Sequence, residues 1–284
     1  WRDWWRSEDL NYTGYNENRG RNRSTVRKPL TTPRCVQIQE GRQGASLLFD
    51  NGEVYTNGEN SNGEMGVGHE QGDMYGFMRV LGLEDVKIIK MSERQWSNNN
   101  HHKMALDDSG CVWVWGYNGY GEIGDGRTQN KPAPYRIPSK YFDNEKIIDI
   151  ANTDHSSYAR TASDNIYAWG RNGNGQLGDN TTTDKYRPVK MANWDPSANN
   201  GIAVWQISGQ SNNVWVTLLD GNGYTWFTGH NDYGNSGAGN TSNLSQLTKI
   251  ETAPNGDFVD IWTMYWNGYK SCFGRHKDGT MYGW

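Results

Sequence analysis

The segment Gly170-Arg171-Asn172-Gly173-Asn174-Gly175-Gln176-Leu177-Gly178 is one of four copies of a glycine-anchored phrase in this chain of 284 residues. In every copy, two further glycines follow the first at offsets of five and eight residues, and the first glycines are 58, 54 and 59 residues apart. A fixed period of this kind is typical of an array of supersecondary units, each of which needs a neighbour to bury its apolar face. The recurring glycines are therefore predicted to be structural: Gly58, Gly63, Gly66, Gly116, Gly121, Gly124, Gly170, Gly175, Gly178, Gly229, Gly234 and Gly237.

A short apolar or aromatic run precedes each first glycine, as in residues 112–115 and 166–169. Such runs favour half-buried strands, and a turn pair such as Ser109-Gly110 stands before them. Further strand candidates lie upstream, so each repeat is predicted to form three or four short antiparallel strands. The tryptophans in these runs are expected in the core rather than at a contact surface: Trp113, Trp115, Trp169 and Trp226.

The fold class predicted from this pattern is all-β, a β-propeller of about five to seven blades. Small sheets without a helical period between them stack radially as blades, which leaves only short protected edges. A single propeller domain is predicted over residues 1–284, with an irregular N-terminal segment at 1–34. The predicted repeats lie near 35–85, 86–146, 147–203 and 204–257, with a partial one at 258–284.

The sequence allows two interpretations of how the ring of blades closes. Residues 278–284 match a hairpin turn and the strand that should precede a fifth phrase. Residues 11–16 resemble the segment that should follow such a strand. Either the N-terminal segment completes the last blade, or the chain is a piece of a longer one.

Composition restricts the function classes. The net charge is -4, from 28 basic and 32 acidic residues, so nucleic acid is not expected as a partner. The sequence has no apolar stretch of the roughly 18 residues that a membrane helix needs, and membrane insertion is not expected. The odd number of cysteines indicates no disulfide framework, and Cys35 and Cys111 are expected as small buried side chains.

A resemblance to a known family rests on residues 115–126 and 169–179, Trp-Gly-x-Asn-Gly-x-Gly-x-x-Gly-Asp. They resemble the repeat of the regulator of chromosome condensation (RCC) family, and the proline-containing segments Lys131-Pro132 and Arg187-Pro188-Val189 support the match. The similarity covers roughly residues 40–284. It implies a β-propeller, commonly of seven blades. A departure occurs at Thr228, where the family usually has tryptophan.

No enzyme activity is expected, because no nucleophile, base or metal set is evident. The pair His101-His102 lacks a third ligand with zinc-like spacing, so no metal and no cofactor are expected. The glycine phrase is not a nucleotide-binding fingerprint, since it follows a strand but opens no helix.

The sequence indicates a non-catalytic binding or structural scaffold. One propeller face is expected to bind a protein partner or a glycan, or other subunits of a larger assembly. The composition, rich in Asn, Gly, Thr, Trp and Tyr, favours a surface-exposed or virion-associated adhesion or assembly module, extracellular or on a virion. The resemblance also leaves open an intracellular regulator, which promotes guanine-nucleotide exchange on a small GTPase, and a secreted protein inhibitor of the same fold.

The binding residues are predicted in the loops between the first two strands of each blade, because function usually lies in loops held by a rigid scaffold. These loops are expected on one face. The candidate residues are Trp96, His101, His102, Asp154, His155, Asn212, Asn213, Trp266 and Tyr269.

Overall fold

The structure is a computed structural model, and it describes residues 32–41, 44–92, 101–209, 213–251, 256–266 and 269–284. The described strands all belong to the unit Pro33–Trp284. In chain order they are β1 (Cys35–Gly41), β2 (Gly44–Phe49), β3 (Val54–Gly58), β4 (Met74–Arg79), β5 (Ile88–Ser92), β6 (His102–Asp107), β7 (Val112–Gly116), β8 (Lys131–Arg136), β9 (Ile147–Asn152), β10 (Ser156–Thr161), β11 (Ile166–Gly170), β12 (Lys185–Lys190), β13 (Ile202–Ser208), β14 (Trp215–Asp220), β15 (Thr225–Gly229), β16 (Leu244–Lys249), β17 (Phe258–Trp266), β18 (Tyr269–His276) and β19 (Met281–Gly283).

The strands form five antiparallel sheets in which neighbours in sequence are neighbours in space. Blade 1 is β1–β4, blade 2 is β5–β8, blade 3 is β9–β12, blade 4 is β13–β16, and blade 5 is the three-stranded sheet β17–β19. Within the described residues the one helical element is a 3₁₀ turn at Ser139–Phe142. The predicted all-β fold with three or four strands per repeat is confirmed.

The hydrophobic core lies between successive blades rather than inside any one of them. One cluster joins Met104 and Val114 of blade 2 to Ile150 and Trp169 of blade 3. Equivalent clusters join blade 1 to blade 2, blade 3 to blade 4, and blade 4 to blade 5. A blade therefore buries its apolar face only against a neighbour, as the repeat predicts.

The aromatic core residues are mostly where the sequence predicts them. Trp115 and Trp169 are fully buried and Trp226 is buried, whereas Trp113 is half-buried.

The expectation of buried cysteines was wrong at two positions. Cys35 is exposed at the start of β1, and Cys111 is half-exposed, where its Sγ accepts a hydrogen bond of 2.9 Å from Arg136. Both lie at a strand end, where the sheet offers no cover. Cys272, in the middle of β18, is the buried one.

The third residue of each phrase is a buried asparagine that holds the following turn together. The Oδ1 atom of Asn172 accepts a hydrogen bond of 2.9 Å from the backbone N–H of Leu177, and its Nδ2 donates to the carbonyls of Thr181 and Thr183 at 3.0 and 3.2 Å. The same bond from the N–H five residues on is present in the other copies: Asn60 with Met65, Asn118 with Ile123, and Asn231 with Ser236.

In three of the four phrases, the middle glycine is the point where one blade touches the outer strand of the next. Gly175 has a φ of 77°, and a Cβ there would lie 2.5 Å from the Cα of Ser245 in β16. Both the conformation and the close approach exclude larger residues. The equivalent contacts are Gly63 with Pro132 and Gly121 with Tyr186.

Candidate functional site

The loops between first and second strands and the turns after third strands lie at the same end of each blade. In blade 2, for example, His102 at the start of β6 pairs with Gly116 at the end of β7. We call this end of the blades the loop face. It contains the sequence phrases as well as the predicted binding loops.

An aromatic and cationic cluster spans blades 2 and 3 on the loop face. The ring centre of Tyr120 lies 4.9 Å from that of His155 and 4.4 Å from the Cζ atom of Arg171. Tyr117 lies 5.7 Å from His155 between ring centres. Tyr117, Tyr120 and Arg171 are all half-buried, so each presents part of its surface at the junction of two blades.

A buried carboxylate supports this cluster from below. Glu122 is fully buried, and its Oε1 lies 3.2 Å from Nδ1 of His155. Burial raises the pKa of Glu122, and the hydrogen bond with His155 opposes that rise. The backbone carbonyl of Glu122 accepts hydrogen bonds from Trp169 Nε1 at 2.6 Å and from Ser157 Oγ at 2.9 Å. These bonds fix the cluster before any partner arrives.

The two adjacent histidines of blade 2 lie inside the loop face. His101 and His102 are buried, and Nε2 of His102 lies 2.7 Å from the hydroxyl of Ser157 in blade 3. Burial is the main cause that lowers the pKa of each to about 3. Both rings are therefore neutral at physiological pH, and His102 joins blade 2 to blade 3.

A second cluster occupies the equivalent place between blades 4 and 5. Tyr233 is 65% exposed, and Nζ of Lys270 lies 5.0 Å from its ring centre. The same Nζ lies 2.5 Å from Nδ1 of His230, whose Nε2 lies 2.9 Å from Oδ2 of Asp232. Burial lowers the pKa of both Lys270 and His230. A tyrosine beside a cation is thus a feature of two blade junctions.

The predicted site residues fall into four groups. The structure brings His102 and His155 together at the junction of blades 2 and 3, with His101 and Asp154 buried nearby. Asn213 is half-buried, just before β14. Trp96 and Asn212 lie outside the described residues. Trp266 and Tyr269 pair across β17 and β18, and their side chains lie outside the description.

Several residues of the two clusters were missed, and for five of them the sequence does contain a signal. They occupy the second and fifth positions of the phrase, next to glycines that hold the turn. The turn, rather than the strand pattern, places an aromatic or cationic residue of these positions at the loop face. They are Tyr117, Tyr120, Arg171, His230 and Tyr233.

The inner strands line a separate polar cavity of about 730 Å³. Asp149 of β9 accepts hydrogen bonds from Lys90 of β5 and, at 2.9 Å, from Trp205 Nε1 of β13. The hydrogen bonds of this carboxylate link three blades. It is therefore a structural group of the inner wall.

No group of three or more His, Cys, Asp or Glu side chains among the described residues could hold a metal ion. No helix in the described part of the chain is long and apolar enough to cross a membrane.

Comparison with known proteins agrees with the repeat seen in sequence and structure. A family model described as the regulator of chromosome condensation (RCC1) repeat matches residues 109–159 and 163–208. Two segments of the chain match the RCC1 repeat. They contain β7 and β8 of blade 2, almost all of blade 3 and β13 of blade 4, and the Tyr120 cluster lies within them.

Among curated relatives of these RCC1 repeats, human E3 ubiquitin-protein ligase HERC2 is 24% identical over 255 residues, which cover 90% of this chain and 5% of the relative. The ultraviolet-B receptor UVR8 of Arabidopsis thaliana is 28% identical over 168 residues, 58% of this chain and 36% of that protein. The chain therefore spans only a small part of the curated relatives it matches.

Two solved structures share the fold of these RCC1 repeats. Human WBSCR16 matches with a TM-score of 0.67 and 19% identity, over 89% of this chain and 62% of that one. Prp20p from Saccharomyces cerevisiae matches with a TM-score of 0.63 and 19% identity, over 89% of this chain and 58% of that one. At this level of identity the likeness shows a propeller fold.

Proposed function

We propose that this chain is a non-catalytic scaffold that binds a protein partner on its loop face. The observation that carries the proposal is the cluster at the junction of blades 2 and 3. Tyr117 and Tyr120 pack against His155 there, and Arg171 lies over the ring of Tyr120. Tyrosine and arginine are enriched among the residues that dominate binding energy at protein interfaces.

The rigidity of the loop face supports the same proposal. Buried asparagines and glycines fix the turns that present Tyr120 and Tyr233, and Glu122 fixes His155. A partner would then bind without ordering these loops first, which lowers the entropy cost of association.

Within this function we place adhesion or assembly at a cell or virion surface first, with a protein or a glycan as the bound group. Its support is the composition, rich in Asn, Gly, Trp and Tyr, and the exposed ring of Tyr233, on which a sugar could stack. A secreted inhibitor of the same fold would use the same face.

A regulator of a small GTPase is the second candidate. Its support is the fold likeness to yeast Prp20p, whose solved structure is described together with its binding to Gsp1p and histones. A structure of Kap60 bound to yeast RCC1 (Prp20) likewise has a TM-score of 0.64 with this chain. Binding of these partners is a property of those proteins.

The test compares a loop-face variant with a matched rim variant. The loop-face variant combines Tyr120→Ala, Arg171→Ala and Tyr233→Ala. The rim control is Tyr224→Ala, a half-buried tyrosine just before β15, at the opposite end of blade 4 from the loop face. The probes are a glycan array, purified histones and Gsp1p loaded with fluorescent GDP.

We expect at least one probe to bind the unaltered chain and to lose at least about tenfold in affinity with the loop-face variant, since hot-spot losses exceed about 1.4 kcal/mol. The rim control should bind like the unaltered chain. Accelerated release of GDP from Gsp1p would place the GTPase regulator ahead of adhesion. Binding of no probe, or binding that the loop-face variant retains in full, would overturn the proposal.

A further inference from the structure

The outer strand of blade 1 has an unusual surface. In β4, Met-Tyr-Gly-Phe-Met-Arg, Tyr75 is 96% exposed, Phe77 42% and Met78 46%. The outer strands of blades 2 and 3 contain proline and begin with lysine: Lys131, Pro132 and Pro134 in β8, and Lys185 and Pro188 in β12. Proline and lysine are the usual means by which edge strands avoid pairing with another chain. β4 contains neither.

The backbone of β4 is accessible as well. Met74, Met78 and Arg79 of β4 pair with residues of β3, and the register shifts between Met74 and Met78. A Cβ built at Gly76, the middle of the shifted stretch, would meet nothing within 4 Å. β4 is the outer strand of its sheet, and no described strand pairs with its other edge.

The sequence of this edge is complementary to itself. Residues 73–79 read acid, Met, aromatic, Gly, aromatic, Met, base. If two copies run antiparallel with Gly76 opposite Gly76, every other residue meets a suitable partner. Asp73 meets Arg79, Met74 meets Met78, and Tyr75 meets Phe77, twice each. Opposite-charge and aromatic cross-strand pairs are those that stabilise antiparallel sheets.

The charged ends of the segment are available for this pairing. Asp73 is exposed, and the side chain of Arg79 is 38% exposed. Arg79 already contacts Glu53 through Nη2, at 3.0 Å from Oε1. A guanidinium group has five N–H donors, so Arg79 can bind a second carboxylate while it keeps the first.

We propose that two copies of this chain associate through β4, edge to edge and antiparallel, about a two-fold axis at Gly76. The interface is isologous, because each residue of one copy meets the residue of the other that it would meet by symmetry. The pairing covers the free edge of β4 in both copies. Association therefore stops at the dimer.

The test exchanges the charges at the two ends of β4. Sedimentation equilibrium of the unaltered chain should show a monomer and dimer that interconvert with concentration. Asp73→Arg alone and Arg79→Asp alone each place like charges opposite one another twice, and each should weaken the dimer by about tenfold or more. An equimolar mixture of the two variants restores both opposite-charge pairs and should form a heterodimer about as stable as the original.

Two controls separate pairing from folding. Thermal unfolding checks each variant, because Arg79→Asp also removes the contact with Glu53. Lys185→Asp, a charge change on the outer strand of blade 3, should leave the dimer intact. A monomeric unaltered chain, assemblies larger than a dimer, or a mixture that stays monomeric would each overturn the proposal.

Discussion

Asn172 uses its whole amide group inside the turn after β11. It accepts from Leu177 N–H and donates to Thr181 and Thr183 carbonyls and to Asp179, with no exposed surface. Asn172→Ala would leave several buried polar groups without partners, and each costs about 1–3 kcal/mol. We expect a loss of about 3 kcal/mol in the free energy of unfolding, measured with urea.

The matched control for Asn172→Ala is Thr182→Ala, an exposed neighbour in the same turn. Surface changes of this kind stay within about 0.5 kcal/mol. Equal stability of the two variants would show that the asparagine bonds do not hold the turn.

His102 should make stability depend on pH. In the folded chain its pKa is lowered to about 3 by burial and by His155 and His101, whereas the unfolded ring titrates near 6.5. Between these values the unfolded chain binds the extra proton. The contribution of His102 is therefore fully present above pH 6.5 and is lost as the pH falls, by about 1.4 kcal/mol per pH unit.

Urea unfolding at several values between pH 4 and pH 6.5 checks this slope. His102→Gln should reduce the slope of stability against pH by about 1.4 kcal/mol per pH unit. The remaining slope comes in part from His101, whose pKa is lowered in the same direction. Ser157→Ala removes the hydroxyl partner but keeps the ring, and it should retain the slope. An unaltered slope in His102→Gln would contradict the buried neutral histidine.

Single residues show what sequence could and could not predict about the site. The pairing of His102 with His155 across blades was within reach, since both stand at the start of a second strand. Their burial was not, because each contacts a residue of the other blade: Glu122 of blade 2 contacts His155, and Ser157 of blade 3 contacts His102. Tyr117, Tyr120 and Tyr233 were missed because the turn geometry, rather than the strand pattern, places them at the loop face.

At the scale of elements, the middle glycine decides how blades 3 and 4 meet. A Cβ at Gly175 would lie 2.5 Å from Ser245 Cα, at a φ of 77°. Gly175→Ala therefore combines a left-handed conformation, which costs about 1–2 kcal/mol, with a backbone clash. We expect a loss of at least about 2 kcal/mol in thermal or urea unfolding.

Gly173→Ala provides the control for Gly175 within the same phrase. A Cβ there meets nothing within 4 Å, and the residue is exposed. Its stability should stay near that of the unaltered chain. If Gly173→Ala were as damaging as Gly175→Ala, the contact with β16 would not be the reason that a glycine stands at position 175.

The strands themselves were predictable to different degrees. The second and third strands of each blade follow from apolar runs that flank turn pairs, as in β6 and β7. The outer strands β8 and β12 were harder to recognise, because Pro132, Pro134 and Pro188 disfavour a strand. They lie at the edge of a sheet, where proline is tolerated.

At the scale of the whole molecule, stability depends on the junctions between blades, and equivalent junctions differ in one residue. At the junction of blades 2 and 3, Trp169 is fully buried and its Nε1 donates a hydrogen bond to the carbonyl of Glu122. At the junction of blades 3 and 4, Thr228 stands in the equivalent place, and its hydroxyl donates a hydrogen bond to the carbonyl of Gly175. Trp169→Ala should cost about 3–5 kcal/mol, and Thr228→Ala about 1 kcal/mol.

The larger loss at Trp169 should also change how the molecule unfolds. In an array of repeats, stability is a sum of units and nearest-neighbour interfaces, so a weak junction separates the units on its two sides. Hydrogen exchange in Trp169→Ala, at a urea concentration just below the transition, should therefore show different protection in blade 2 and blade 4, whereas Thr228→Ala should exchange as one unit. Equal loss of protection in both blades of Trp169→Ala would show that cooperativity reaches across the junction by a route other than Trp169 and its neighbours.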